Sequence, residues 1–259
     1  MAFVLRRERN VPVAEPELGG SAQSSAGARF PLPRVPAHEK RQRWFEVCLV
    51  LLLACGSFVL NAIYLLKTGP GGMPAISNPR WSVGIVQEAG CLMLVGYVLS
   101  RRQLKFADLG LRWSLSDVGV GLLVAVISYV VYGIGSALVQ MGSRQIFGHI
   151  ASSASPNQFF GHPSVMFIPF SLLNPFFEEL IIRAYLMTEV AELTGSSALA
   201  VVVSVAVQFS YHLYYGWVGA LSVSFLFLVF ALYYARARKA LPVIVAHGIF
   251  DIYSLVRLW

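Results

Sequence analysis

The sequence predicts an all-α fold, a polytopic transmembrane helical bundle with about seven spans. Of its 259 residues, 56% are hydrophobic and only 13% are charged, and the mean hydropathy is +0.64. A soluble domain does not need so much apolar sequence to fill its core. Several apolar runs could cross a hydrocarbon core of about 30 Å as helices. They lack the alternation of barrel strands, so a helical bundle is expected.

The chain divides by composition near residue 43. Residues 1–43 are rich in Arg, Pro, Ser, Gly and Ala without periodicity, which is typical of a segment that cannot bury enough apolar surface to fold. We predict a disordered basic cytoplasmic tail over 1–43 and a transmembrane domain over 44–259. A run ending at Cys55 resembles a lipoprotein cleavage site, but its leader is long and hydrophilic, which favours an uncleaved span.

Seven apolar runs are candidate spans, and a joined or divided run would change the count by one. They cover residues 45–66, 81–99, 118–141, 164–190, 198–215, 218–234 and 241–255. Basic residues concentrate in the tail, in the loop after the second run and in the loop before the last. The positive-inside rule therefore predicts a cytoplasmic N-terminus in the cell membrane. The net charge of +7 then reflects topology and attraction to lipid, and no nucleic-acid partner is expected.

A few ionisable residues fall inside the apolar runs, where each costs a few kcal/mol and is a functional candidate. They are Glu88, Glu178, Glu179, Arg183, His212, His247 and Asp251. Asn174 followed by Pro175 is a helix-start signal, so we expect the fourth run to be broken or kinked there. The positive end of the new helix would then favour charge on the two glutamates.

The spacing of the glutamates predicts different roles for them. Glu179 and Arg183 are four residues apart on one helix face and can form an ion pair. Glu178 is rotated about 100° away without such a partner, which suits a general base in a desolvated pocket. Tyr185 lies seven residues after Glu178, on nearly the same face, and is expected to line the same pocket.

The histidines come from two further runs. A lone membrane histidine often only bonds another helix. Here a carboxylate and His212 can hold and activate a water, while His247, four residues before Asp251, can polarise a carbonyl and stabilise an oxyanion.

Three motifs together resemble the CPBP family of intramembrane proteases, which includes CAAX prenyl proteases and bacteriocin-processing or immunity proteins. "EELIIR" fits EExxxR, His212 takes the place of the histidine in FxxxH, and "HGIFD" fits HxxxN/D. The resemblance covers about residues 107–253. It implies that Glu178 is the water-activating base with His212 as partner, that Glu179 and Arg183 support the site, and that His247 and Asp251 form the oxyanion side.

The chain departs from the family pattern at a few positions. Gln208 stands where the second motif usually has Phe, and Ile182 and Ala184 flank the arginine where FRG is common. We expect these changes to affect packing around the site more than its chemistry.

A metal is an open alternative. His212, His247 and Glu178 could form a zinc site, yet they lack the HExxH arrangement, and the resemblance allows a mechanism driven by glutamate alone. We favour the metal-free mechanism.

The sequence therefore predicts an endopeptidase whose substrate is a membrane-associated or lipidated peptide or protein in the bilayer. The alternative is a non-enzymatic transporter or immunity scaffold that uses the same polar residues as a relay. The sequence defines no oligomeric state.

Overall fold

The computed structural model describes residues 35–68, 78–147 and 165–258, and within these ranges the fold is helical without strands. The predicted all-α class is confirmed. Residues 1–34 of the predicted tail lie outside the described residues. One continuous helical run, residues 167–194, contains two α-helices joined by a π-helical segment. In chain order the elements are α1 Ala37–Thr68, α2 Asn78–Arg101, α3 Leu115–Phe147, α4 Phe167–Glu178, the π segment Glu179–Leu186, α5 Met187–Thr194, α6 Ser197–Tyr211, α7 Gly216–Ala237 and α8 Leu241–Leu258.

Four of the described helical stretches are long and apolar enough to cross a membrane: Ala37–Thr68, Asn78–Arg101, Leu115–Ile146 and Leu213–Ala237. In the first three, less than a third of the apolar window is buried by the rest of the fold, whereas half of the fourth is buried. The outward faces of the first three are therefore suited to lipid. The fourth stretch, which contains α7, lies in the interior of the bundle.

The predicted break at Asn174 is wrong. α4 runs through this point with Pro175 inside it, and the irregularity comes later, in the π segment. The Asn174 side chain does not cap a helix; its amide donates to Asp251 Oδ2 at 3.0 Å. Proline is tolerated inside membrane helices because neighbouring groups satisfy the freed backbone. The two glutamates consequently lie within a continuous helical run, and no helix N-terminus is available to stabilise their charge.

A core cluster joins α3, α7 and α8 on one side of the bundle. Its buried members are Val124, Ala125, Leu226, Phe227, Phe230, Val243 and Ala246. Close approach of α3 to α7 requires a glycine, because a Cβ on Gly135 would lie 2.3 Å from the ring of Phe225. This packing holds α7 and α8 against α3, and α8 carries His247 and Asp251 of the polar site.

A cluster of ion pairs ties α1 and α2 to α5. Arg43 contacts Glu189 at 2.8 Å and also pairs with Glu192, while Arg102 contacts Glu189 at 2.7 Å and also pairs with Glu46. Residues 37–43, assigned to the tail from their composition, are therefore helical in α1 and reach this cluster. The polar character of this segment reflects partners on other helices, which composition alone does not show.

The loop between α2 and α3 is hydrogen-bonded to the end of α7 and to the connection between α7 and α8. The Tyr234 hydroxyl donates to the carbonyl of Leu109 at 2.8 Å, and the N–H of Ala240 donates to the carbonyl of Gly110 at 3.0 Å. Gly110 has φ of +90°, and a Cβ there would lie 2.0 Å from the carbonyl oxygen of Arg238. Only glycine meets both requirements.

We expect Gly110→Ala to destabilise the protein by at least about 1–2 kcal/mol, because the left-handed backbone disfavours a side chain and the added Cβ clashes with backbone. Thermal unfolding in detergent measures the effect. Gly133→Ala in α3 is the matched control, since a Cβ there meets nothing within 4 Å. Equal unfolding midpoints for the two variants would contradict the assigned role of Gly110.

Candidate active site

One cavity of about 300 Å³ is lined by all four residues predicted to be catalytic: Glu178, His212, His247 and Asp251. They come from α4, from the residue after α6, and from α8. Most of the remaining lining is aromatic or aliphatic, including Phe58, Trp81, Phe167, Phe170 and Phe177. The structure thus gathers the polar residues of three separate segments at one apolar-walled cavity.

His212 and His247 line the same cavity from different helices. The predicted fifth span covers residues 198–215, whereas α6 is a short apolar helix that ends at Tyr211 and has His212 as its C-terminal capping residue. The ring centroid of Phe227 lies 4.9 Å from that of His212 and 5.7 Å from that of His247, so the same phenyl ring is close to both histidines.

The Glu178 carboxylate is anchored through one of its two oxygens. Oε2 accepts a hydrogen bond from the Tyr211 hydroxyl at 2.7 Å and another from the Gln208 side-chain amide. Within the described part of the chain, Oε1 accepts no hydrogen bond. Since Glu178 lines the cavity, Oε1 is the oxygen available to a water or a substrate.

The tautomer of neutral His212 follows from its backbone contact. Nδ1 lies 2.8 Å from the carbonyl oxygen of Gln208. A carbonyl oxygen can only accept, so Nδ1 carries the proton and donates it. Nε2 of the neutral ring then holds a lone pair, which can accept a hydrogen bond from a water in the cavity.

The predicted ion pair between Glu179 and Arg183 is present. Arg183 Nε lies 3.4 Å from Glu179 Oε2, and both side chains are completely buried. Arg183 Nη1 also donates to Gln208 Oε1 at 2.5 Å, and the guanidinium lies 5.0 Å above the ring of Phe227. The pair lies behind the cavity wall, which agrees with a supporting position.

Both ring nitrogens of His247 face carboxylates. Nδ1 lies 2.8 Å from Glu179 Oε1, and Nε2 lies 3.6 Å from Asp251 Oδ1. Glu179 is paired with Arg183 and therefore acts as an acceptor, so Nδ1 donates to it. If Nε2 is also to donate to an oxyanion, the ring must carry both protons, and the two carboxylates compensate that charge.

Residues 160–253 match the family model described as "Type II CAAX prenyl endopeptidase Rce1-like". The match confirms the resemblance to the CPBP family. It covers just over a third of the chain and includes every helix that contributes a predicted catalytic residue. The match indicates an intramembrane protease, and the four long apolar helices agree with a multi-pass membrane protein. No curated protein and no solved structure matches the chain.

Tyr185 does not line the cavity, contrary to the prediction. It is completely buried in the π segment, and the charges that act on its hydroxyl include those of Glu189 and Arg102, in the ion-pair cluster. A π turn contains more residues than an α turn. Seven positions along this segment therefore do not return a side chain to the face of Glu178.

Three polar residues of the site were not singled out as functional from the sequence. Gln208 was expected to affect packing, Asn174 to cap a helix, and Tyr211 had no assigned role. The structure hydrogen-bonds Gln208 and Tyr211 to Glu178, and Asn174 to Asp251. Helical spacing could have identified two of these residues, because Asn174 lies four residues before Glu178 and Gln208 lies four before His212.

The predicted zinc ligands do not form a cluster. Among the described residues, the group of side chains close enough to share a metal is Glu178, Glu179 and His247, with ligand atoms within 4.8 Å of one another, and His212 is not in it. Glu179 already contacts Arg183, and both nitrogens of His247 face carboxylates. These donors are engaged by other protein groups, so the set fits zinc poorly.

We expect Glu179→Ala and Arg183→Ala each to lower the free energy of unfolding by about 3–5 kcal/mol, because each leaves a buried charge uncompensated. The double substitution should cost clearly less than the sum of the two. Yield of monodisperse protein and thermal unfolding measure this cycle. Additive losses would contradict the pairing. Glu39→Ala is the control, since Glu39 lies on the exposed start of α1.

Proposed function

We propose that this chain hydrolyses a peptide bond in a membrane-associated or lipidated peptide or protein, with a water activated by Glu178 and His212. The main support for the proposal is that Glu178, with only one carboxylate oxygen hydrogen-bonded, and His212 line the same cavity. Glu178 Oε1 and His212 Nε2 are both acceptors, which is what the two protons of an attacking water require.

The proposed reaction begins with proton transfer from the water to Glu178 Oε1, as the water oxygen attacks the scissile carbonyl carbon. His212 Nε2 accepts the other water proton in a hydrogen bond and orients the oxygen. The carbonyl oxygen becomes an oxyanion, and His247 donates from Nε2 to stabilise it. Glu178 then returns its proton to the departing amine nitrogen, the carbon–nitrogen bond breaks, and a carboxyl and an amine product remain.

The cavity walls support an apolar substrate. Most of the lining is aromatic or aliphatic, and its ionisable carboxylate and imidazole groups are those of Glu178, His212, His247 and Asp251. Such a cavity favours apolar groups of a peptide and leaves the polar groups to orient its backbone. We further propose the cell membrane as the location, with the N-terminus in the cytoplasm, on the distribution of basic residues.

We also propose that the reaction proceeds without a metal. The support is the engagement of the candidate donors, because the oxygens of Glu179 face Arg183 and His247, and Tyr211 and Gln208 donate to one oxygen of Glu178. The polarising role that a metal would have falls to His247 and the proton transfers to Glu178.

Glu178→Gln should lower cleavage of a membrane-peptide library at least about 100-fold while leaving the protein folded, because the amide keeps the shape but cannot accept the proton. Mass spectrometry of the products measures cleavage. Glu39→Gln is the control, since Glu39 lies on the exposed start of α1 and does not line the cavity. Near-normal turnover by Glu178→Gln would exclude the assignment of the base. No cleavage by wild type would favour the non-enzymatic alternative.

Exhaustive chelation should leave wild-type cleavage unchanged, because no step of the proposed mechanism passes through a metal. Elemental analysis of the purified protein before and after chelation provides the accompanying measurement. Loss of activity on chelation, with recovery on adding zinc, would overturn the metal-free mechanism. A zinc content that falls in His212→Ala and His247→Ala would identify these residues as ligands.

A further inference from the structure

Gln208 occupies the centre of the polar network. It lies in α6 one turn before His212 and is completely buried, and it does not line the cavity. Its side chain forms hydrogen bonds to two residues outside α6, Glu178 at the end of α4 and Arg183 in the π segment. A buried amide in a membrane bundle needs partners for both its ends, and Gln208 has them.

The orientation of the Gln208 amide is determined by its partners. Arg183 Nη1 can only donate, so the group 2.5 Å from it is the amide oxygen, Oε1. The amide nitrogen therefore faces Glu178 Oε2 and donates to it. The phenylalanine that is usual at this place in the family motif could make neither bond.

The hydrogen bonds to Glu178 are unequally shared between its oxygens. The Gln208 amide and the Tyr211 hydroxyl, at 2.7 Å, both donate to Oε2. Two donors use the lone pairs of that oxygen and hold the plane of the carboxylate in one orientation. Oε1 keeps its lone pairs for the cavity.

We propose that Gln208 is a positioning residue that fixes Glu178 with Oε1 toward the attacking water and at the same time links this carboxylate to the buried Arg183. This inference rests on the proposed hydrolysis. Gln208 acts through Glu178 and does not touch the substrate, so its loss should reduce kcat and leave KM unchanged.

Two substitutions separate this role from a structural one. Gln208→Met keeps the approximate volume and removes both the donor and the acceptor. Gln208→Glu keeps an acceptor for Arg183, and the introduced carboxyl donates to Glu178 only when it is protonated. The ionisable groups around this position are Glu178, Arg183, Tyr211 and His212.

For Gln208→Met, kcat per folded enzyme should fall about tenfold or more, the usual effect of losing one hydrogen bond to a charged group, with KM unchanged. For Gln208→Glu, the ratio of its kcat to that of wild type at the same pH should rise as the pH falls. A purely structural residue would lower the yield without changing either quantity. Ser204→Ala is the control, because Ser204 is buried one turn earlier on α6 and its hydroxyl has no hydrogen-bond partner among the described residues.

The assay uses full-length protein in detergent or liposomes with a peptide that wild type cleaves. Wild-type kcat in folded Gln208→Met, or a pH-independent ratio for Gln208→Glu, would overturn the role of Gln208 and leave the proposed hydrolysis intact. Full activity of Glu178→Gln in the same assay, or no cleavage by wild type, would instead overturn the hydrolytic mechanism and this inference with it.

Discussion

The architecture of the site depends on one buried cation, Arg183. Its side chain is completely inaccessible, and an uncompensated charge in such a place would cost several kcal/mol. Three elements contact it, although Nε and Nη2 make no hydrogen bond among the described residues. Glu179 on its own helical run provides the opposite charge, Gln208 on α6 provides a neutral acceptor, and Phe227 on α7 provides a ring face. These contacts hold α6 and α7 against the π segment.

Two adjacent glutamates have different surroundings, because neighbouring residues of a helix point about 100° apart. Glu178 is the last residue of α4 and lines the cavity, whereas Glu179 is the first residue of the π segment and is completely buried behind it. Glu178 has neutral donors on one oxygen, while Glu179 has a guanidinium and an imidazole. Groups of the same chemistry in different environments can have separate tasks, and here one is free to react while the other compensates charge.

The helical class and the residues that meet at the cavity could be predicted, because apolar run length and isolated charges are strong signals in a membrane protein. The ion pair of Glu179 and Arg183 could be predicted too, since four-residue spacing survives the change of helix type. The course of the chain around Pro175 could not. An Asn-Pro pair starts a helix in water, but this sequence continues the helix through it and uses Asn174 to bond Asp251 on α8.

Tyr185 and Gln208 both show that spacing along the sequence does not fully determine which side chains reach the site. Tyr185 was placed by α-helical periodicity, and a π segment shifts that periodicity by an amount the sequence does not reveal. Gln208 looked like a packing change because its partners are distant in the chain, Glu178 by 30 residues and Arg183 by 25. Hydrogen bonds between helices depend on how the helices dock, which one-dimensional spacing does not contain.

The polar contacts form a closed ring that begins and ends on α4. One half runs from the carboxylate that lines the cavity to the buried arginine, and the other returns through the histidine of α8. In order, the ring contains Glu178, Gln208, Arg183, Glu179, His247, Asp251 and Asn174. Asn174 lies one helical turn before Glu178, so α4 itself closes the ring. Because each member is held from two sides, Glu178 and His247 keep a set separation, and such preorganisation is what the proposed roles of base and oxyanion donor require.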